Sequence, residues 1–332
     1  MTQVTEDTSA DRARPEAIQA VPVRHPGRWV AVAVIAVLAA MFVHMLVTNE
    51  RFQWSFIVDN AFRPNIVHGV YTTVMLTVLA MIIGVAMGVV LAVMRLSPNP
   101  ILSGVAWLYT WFFRAVPRLV LAILFGNMGI LYAQYDIGGI PFAGQLGDLL
   151  GVDIDGTLFS LDARTLLTGF MAGLLALALS EAAYMAEIVR AGILSVDPGQ
   201  SEAAAALGMS RFQTMRRIVL PQAMRVIVPP TGNETIAMLK DTSLVAFVPV
   251  SDELFFQLQA VGSRTFQVFP MLVAACIWYL ILTSFLLVAQ YYIERYFARG
   301  TASGRARRRP KLPAAGVDVG LGKGGEGEGN DR

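Results

Sequence analysis

Long tracts of this chain carry almost no charge, and a tract of that kind decides the solvent in which a chain can fold. Asn65 to Met94 holds no Asp, Glu, Lys or Arg, with His68 as its only side chain that can ionise near neutral pH, and Trp29 to Val47 and Thr265 to Ile293 are as apolar. A membrane span needs about 20 mostly apolar residues, because each helical residue advances about 1.5 Å across a hydrocarbon core of about 30 Å. The chain has 332 residues, 55% hydrophobic and 15% charged, where a soluble domain would carry roughly a quarter charged. Membrane solvation, not a large aqueous core, must bury this surface. The single cysteine, Cys276, excludes a disulfide framework or a cysteine-based metal site within one chain.

Six spans are expected. The first, Trp29 to Val47, follows Arg24 and Arg28 and reads as an anchor, because the leader before it is long and acidic and no small-residue cleavage site follows. The second is Asn65 to Met94, long enough to tilt. The third is broken: Ile101 to Phe113 is apolar, then Arg114, Pro117 and Arg118 intervene before Leu119 to Tyr135. The fourth is Thr165 to about Ile188, the fifth about Val226 to Phe247, and the sixth Thr265 to Ile293.

Orientation follows from the placement of Lys and Arg. With the N-terminus inside, the inner segments hold Arg12, Arg14, Arg24, Arg28, Arg95, Arg190, Arg211, Arg216, Arg217, Arg225 and the Arg-rich stretch from Arg295 to Lys311. The outer loops hold only Arg51, Arg63, Arg164 and Arg264, and the largest carries Asp136, Asp148, Asp153, Asp155 and Asp162. Both termini are therefore expected in the cytoplasm. The tail after Arg309 is rich in Gly, Pro and Ala and is expected to be disordered. Gly322-Lys323 is not a phosphate-binding loop, since Val317 stands where its first glycine belongs and Gly324 replaces the Ser or Thr. Nothing in the sequence calls for a cofactor. His25, His44 and His68 form no ligand pair, and Gly84 and Gly88, four apart, suit close helix packing.

Between the fourth and fifth spans lies a polar stretch from Arg190 to Arg225 that encodes two short helices. Asp197-Pro198-Gly199-Gln200 supplies an N-cap and a proline at the first helical position. Helix formers run from Ser201 to Leu207, and Gly208 offers a left-handed stop. Ser210-Arg211-Phe212-Gln213 repeats the capping signal for a second helix running into Leu220-Pro221. Two capped helices in series make a rigid knob on the cytoplasmic side.

Glu202-Ala203-Ala204, three residues, Gly208, nine residues, then Ile218-x-Leu220-Pro221 resembles the EAA loop of ABC importer permeases. The Glu181 to Arg190 segment, Pro229 to Glu234, Leu239 to Leu244 and Phe113 to Pro117 resemble the polar-amino-acid (histidine/glutamine-type) subgroup, with Ala115-Val116 where that subgroup usually has Gly-Thr. The resemblance covers about Asn65 to Arg295. It implies an all-α integral membrane protein of about six transmembrane helices, a five-helix permease core plus one N-terminal helix. It implies a transport subunit in the bacterial plasma membrane, with ATP hydrolysis carried by a separate ATPase dimer on the cytoplasmic face. A solute-binding protein outside, a second permease subunit and an amino-acid substrate complete the implied partners. Glu202, Ala203, Ala204, Gly208, Arg211, Leu220 and Pro221 would form the ATPase-coupling loop. The expected organisation is a cytoplasmic tail (1–28), an extra helix (29–47), an external loop (48–64), a permease core (65–296) with an external loop (136–164) and the coupling loop (190–225), and a cytoplasmic tail (297–332).

The fifth span carries charge where charge is costly. At about 1.5 Å per residue from Arg225, Glu234 lies roughly 13 Å deep and Lys240 roughly 22 Å. A charge at the midplane costs at least about 2.5 kcal/mol, so such residues face a cavity, a partner or a substrate. Pro229-Pro230 and Gly232 weaken the helix just before Glu234. Arg114, Asn233, Glu234, Lys240 and Asp241 are the expected pathway residues, an amino-acid zwitterion needing both an anion and a cation partner. Lys240 and Asp241 also fit pairing with neighbours at the outer interface. An autonomous secondary carrier or channel is the alternative reading; it predicts internal inverted repeats and gives no reason for a capped cytoplasmic knob.

Overall fold

The computed structural model describes residues 26–131, 134–137, 143–151, 159–162, 169–248 and 252–297. Both expected tails lie outside these residues. The chain divides into two units, Met1–Gln53 and Trp54–Arg332. In the first, helix α1 spans Pro26–Thr48 and is apolar along its length, with side chains from Trp29 to Val47 exposed on every face. A helix apolar all round is what a bilayer solvates.

The second unit is almost entirely helical. α2 covers Trp54–Ala61, α3 Pro64–Arg95, α4 Pro100–Ala115 and α5 Arg118–Leu131. A short antiparallel ribbon follows, β1 (Gln134–Ile137) against β2 (Phe159–Asp162), with Gln134 opposite Asp162 and α6 (Ala143–Leu150) between them. This ribbon lies in the Asp-bearing loop and was not foreseen from sequence. α7 spans Gly169–Leu194, α8 Pro198–Ala206, α9 Arg211–Thr214, α10 Leu220–Asp241, α11 Leu254–Thr265 and α12 Val268–Phe297.

Among the described residues, α1, α3, α7 and α12 are each long and apolar enough to cross a membrane. The α4–α5 pair makes a fifth span if its two halves count as one; they meet at 101° across Val116-Pro117. The expected broken third segment is thus a sharp corner, set by Pro117, which cannot extend α4. α10 occupies the place of the expected fifth span, but its prolines, Asn233, Glu234 and Lys240 keep it below the apolarity of the others. Apart from the β1–β2 ribbon, the helical membrane architecture is as expected, and six spans are consistent with it.

α3 and α7 form the centre of the packing. A Cβ on Gly84 would stand 2.7 Å from Glu181 Cγ, and one on Gly88 would stand 2.5 Å from Met185 Cβ. The two glycines let the helix axes approach as the four-residue spacing predicted. Around this seam Leu76, Ala80, Leu121, Ala172, Leu177 and Met238 form one core cluster, joining α3, α5, α7 and α10.

A second cluster, Ile66, Leu254, Leu258, Met271 and Ala274, encloses the carboxylate of Glu253. That side chain is fully buried. Its Oε2 accepts from the amides of Phe255 (2.7 Å) and Phe256 (3.4 Å), capping α11. Its Oε1 accepts from Thr73 Oγ1 (2.9 Å), from Thr242 Oγ1 (3.4 Å) and from the Tyr279 hydroxyl. Burial pushes this carboxyl above the ordinary range, against the pull of those hydrogen bonds. One side chain therefore ties α3, the turn after α10, α11 and α12 together.

Candidate functional site

Two places carry chemistry: a charged cluster among α5, α7 and α10, and the segment between α7 and α10.

The cluster centres on Arg118, the first residue of α5 beyond the Pro117 corner. Its Nη1 donates to Asp241 Oδ2 at 2.5 Å, and its Nη2 to Glu181 Oε2 at 3.0 Å. Glu234 Oε2 lies 3.6 Å from the same Nη2, and Ser180 Oγ accepts from Nε at 3.2 Å. The guanidinium also lies 4.9 Å from the centre of the Tyr184 ring, a cation–π distance. Three carboxylates thus share one guanidinium. Helical geometry explains the convergence: Glu234 and Asp241 are seven apart on α10, two turns along one face. Glu181 is fully buried, and its Oε1 has no hydrogen-bond partner among the described residues. The side chains of Glu234 and Asp241 keep 26% and 34% of their surface exposed, so the cluster is reachable from their side.

Of the five pathway residues expected from sequence, the structure brings Glu234 and Asp241 together and leaves three elsewhere. Arg114 is exposed at the end of α4, its guanidinium 5.6 Å from the centre of the Tyr184 ring. Asn233 Oδ1 accepts from Gln290 Nε2 (2.9 Å), which also donates to Glu294 (2.7 Å). Lys240 is exposed. Arg118 and Glu181 were missed as site residues. Their signals were present: Arg118 follows the break, and Glu181 is the first charge in α7 after an uncharged run from Gly169.

A cavity of about 890 Å³ opens among α3, α7, α10 and α12, with Val85, Val89, Met185, Met224, Ile227 and Ile236 in its walls. Those walls are mainly aliphatic, with Thr231, Thr235, Gln290 and Glu294 as their polar members, so most of a zwitterion's hydration would go unreplaced there. The charged cluster concentrates more of the groups a polar solute needs than this cavity does.

The second place is built as its sequence directs. Asp197 caps α8 by accepting from Gly199 N at 2.8 Å. The helix ends in a paired closure: Gly208 N donates to Ala205 O (2.9 Å), and Met209 N donates to Ala204 O (3.1 Å). Gly208 stands at φ +76°, where a side chain would be strained. Ser210 and Gln213 then form a reciprocal capping box, at 3.3 and 2.9 Å. One expectation is refined here. The second helix runs into Leu220-Pro221 as expected and, after a wider π turn at Met215–Val219, continues beyond them as α10. Leu220 N bonds to Met215 O, five residues back, and this extra residue in the turn lets the chain pass Pro221, which has no N–H to offer. α9 is therefore the root of α10. Leu207 and Phe212 flank Gly208 with 82% and 72% of their surfaces exposed, an apolar tip on a stiff base.

Charged helices converging inside a bundle of apolar spans, with a capped knob rooted in one of them, define a membrane-embedded transport component. Residues 83–299 match the family described as binding-protein-dependent transport system inner membrane component, and the chain belongs to that family. It is 44% identical over 302 residues to the arginine transport system permease protein ArgU of Corynebacterium glutamicum, covering 91% of this chain and 90% of that one. The probable amino-acid permease protein YxeN of Bacillus subtilis is 35% identical, covering 74% and 96%. Among solved structures, a crystal structure of an amino acid ABC transporter with histidines is similar at 33% identity and a TM-score of 0.55, covering 70% of this chain and 94% of that one.

Proposed function

We propose that this chain is the permease of an ATP-driven importer that moves a polar amino acid into the cell. The observation that carries the reading is the knob at 197–219: two caps, a left-handed glycine and an exposed Leu207–Phe212 tip on the root of a span that holds Glu234 and Asp241. A separate ATPase dimer grips this tip, through Glu202, Ala203, Ala204, Gly208 and Arg211, on the cytoplasmic side. Leu220 and Pro221 pass the movement into α10. A binding protein delivers the solute from outside, and a second permease subunit, identical or a sister chain, completes the pathway. Both termini are cytoplasmic in this reading, which the Lys and Arg distribution supports. The solute meets Glu234 and Asp241, with Asn233, Lys240 and Arg114 along the path. Each partner biases one of two arrangements, open inward or open outward.

The test is reconstitution with the cognate ATPase and binding protein in vesicles. Gly208→Leu is expected to leave the protein in the membrane and to uncouple ATP hydrolysis from uptake. Wild-type coupling in that variant would refute the role given to the knob.

A further inference from the structure

The transport mechanism leaves the cavity among α3, α7, α10 and α12 unused. It extends roughly 12 Å along α7, from Met185 to Ile193, and roughly 16 Å along α3, from Val85 to Leu96, at about 1.5 Å per residue. That depth is close to one leaflet, half of a hydrocarbon core of about 30 Å. Val89, Val93 and Leu220 line it with 42%, 61% and 42% of their surfaces exposed, so the cavity is a groove open along its side. Leu96, Ile193 and Met215 mark its cytoplasmic end, which places it in the inner leaflet. The solvent at that depth is hydrocarbon, and a mainly aliphatic groove open to it takes up acyl chain in preference to water. A helix of a second copy, at least about 10 Å wide, would fill roughly 1,300 Å³ over that depth, more than the volume of about 890 Å³ that the groove offers.

The mouth of the groove is basic. Arg225 stands seven residues before Gly232, two turns down the same face of α10. Gly232 closes the groove against α12, where a Cβ would stand 2.9 Å from Gln290 Cγ. Arg216 and Arg217 follow Met215 in the π turn. All three arginines are exposed, and the arginine ion pairs among the described residues belong to Arg95, Arg118 and Arg190 instead. Glu294, the acid in the lining, already accepts from Gln290 Nε2 at 2.7 Å. Three cations against one partly satisfied carboxylate make this mouth complementary to a phosphate.

We propose that the groove binds an anionic phospholipid of the inner leaflet, with an acyl chain along Val85, Val89 and Ile236 and the phosphate at Arg225, Arg216 and Arg217, and that its occupancy regulates coupling. The site stands independently of the transported solute; its effect on coupling rests on the importer reading. Guanidinium–phosphate hydrogen bonds are charge-assisted and bidentate, and basic groups beside a span draw anionic lipid to the cytoplasmic surface. Two lining residues give the lipid its regulatory position. Met215 opens the π turn and Leu220 is the first residue of α10, so the acyl chain lies against the joint through which the knob moves the span. The groove changes width when that joint moves. A seated lipid therefore binds the two arrangements unequally and biases the equilibrium between them.

Two measurements test this on the assembled permease–ATPase complex. The first is photo-cross-linking in lipid nanodiscs with phosphatidylglycerol carrying a diazirine on one acyl chain, mapped by peptide mass spectrometry, beside the same probe with a choline headgroup. The phosphatidylglycerol probe is expected to label the groove-lining peptides of α3, α10 and α12 at least about five-fold more than the choline probe. Arg225→Gln is expected to lower that labelling about five-fold, the worth of one arginine at an anionic surface, and Arg225→Lys to keep it. Val89→Trp, which fills the groove, is expected to abolish it. Equal labelling by the two probes, or labelling only elsewhere, overturns the site, and this comparison on the wild type holds even if a variant does not fold. A disulfide between two copies carrying Val89→Cys in a Cys276→Ser background would place a second permease subunit over the groove and overturn it as well. The second measurement is uptake per ATP hydrolysed by the full importer in vesicles. Replacing about one-third of the phosphatidylcholine by phosphatidylglycerol is expected to raise it about three-fold, a population shift from roughly one quarter to three quarters, and Arg225→Gln to blunt the rise. Equal efficiency in the two lipids overturns the regulatory role. No uptake in either lipid removes the importer reading, and the labelling result still decides the site.

Discussion

Glu181 and Glu253 are both fully buried carboxylates in the same helical unit, yet their surroundings differ. Glu253 spends both oxygens on donors from α3, α11, α12 and the turn after α10. Glu181 has one oxygen on Arg118 and one without a hydrogen-bond partner among the described residues. A buried charge with its acceptors filled fixes structure, because every donor would be stranded without it. A buried charge left half-satisfied and sharing its cation is a poor staple, and its placement makes sense as part of a site. The lesson is that burial alone does not separate structural from functional charge; the count of filled acceptors does.

Substitutions at the two places can break or sharpen that contrast. The largest effect on stability is expected from Glu253→Ala, which strands the hydroxyl donors of Thr73 and Tyr279 and uncaps α11; a loss of about 3 to 5 kcal/mol should appear as a lower thermal midpoint in detergent. An unchanged midpoint would show that the staple is not one. Next comes Gly69→Ala, beside the same node. A Cβ there would stand 2.8 Å from Leu254 Cα, a backbone atom that cannot swing away, so about 2 to 3 kcal/mol is expected. The smallest effect on stability belongs to Glu234→Gln in the charged cluster. Its midpoint should shift by less than about 1 kcal/mol, since the loss of a 3.6 Å ion pair is offset by one fewer charge to desolvate. Uptake by the intact complex should nonetheless fall about ten-fold, and normal uptake kinetics would remove Glu234 from the site.

Much of this was legible in the sequence because it depends on local rules. The apolar tracts fixed α1, α3, α7 and α12 to within a few residues. Asp197, Gly208 and the Ser210–Gln213 box were each readable as caps, since a cap depends only on neighbours along the chain. The cluster was half readable. Glu234 and Asp241 stand out as charges in a span, but the choice of arginine depended on a tertiary fact. Arg114 and Arg118 flank Pro117 on opposite arms of a corner; both lie over Tyr184 of α7, but the arm beyond the corner is the one that brings its arginine to the carboxylates of α7 and α10. No spacing rule reports that angle. Glu253 was invisible for a similar reason: its donors Thr73 and Tyr279 are remote in sequence and meet it only in the folded unit.

The knob carries the whole assignment, because it is the part that a separate motor must grip. The direct measurement is cross-linking from a single cysteine at its exposed face, Ala205→Cys in a Cys276→Ser background, in membranes containing the assembled transporter. A cross-link from that cysteine to the ATPase subunit, with no labelling by a membrane-impermeant maleimide added outside intact cells, is the expected result. Labelling from outside, or no contact with a nucleotide-binding subunit, would contradict it.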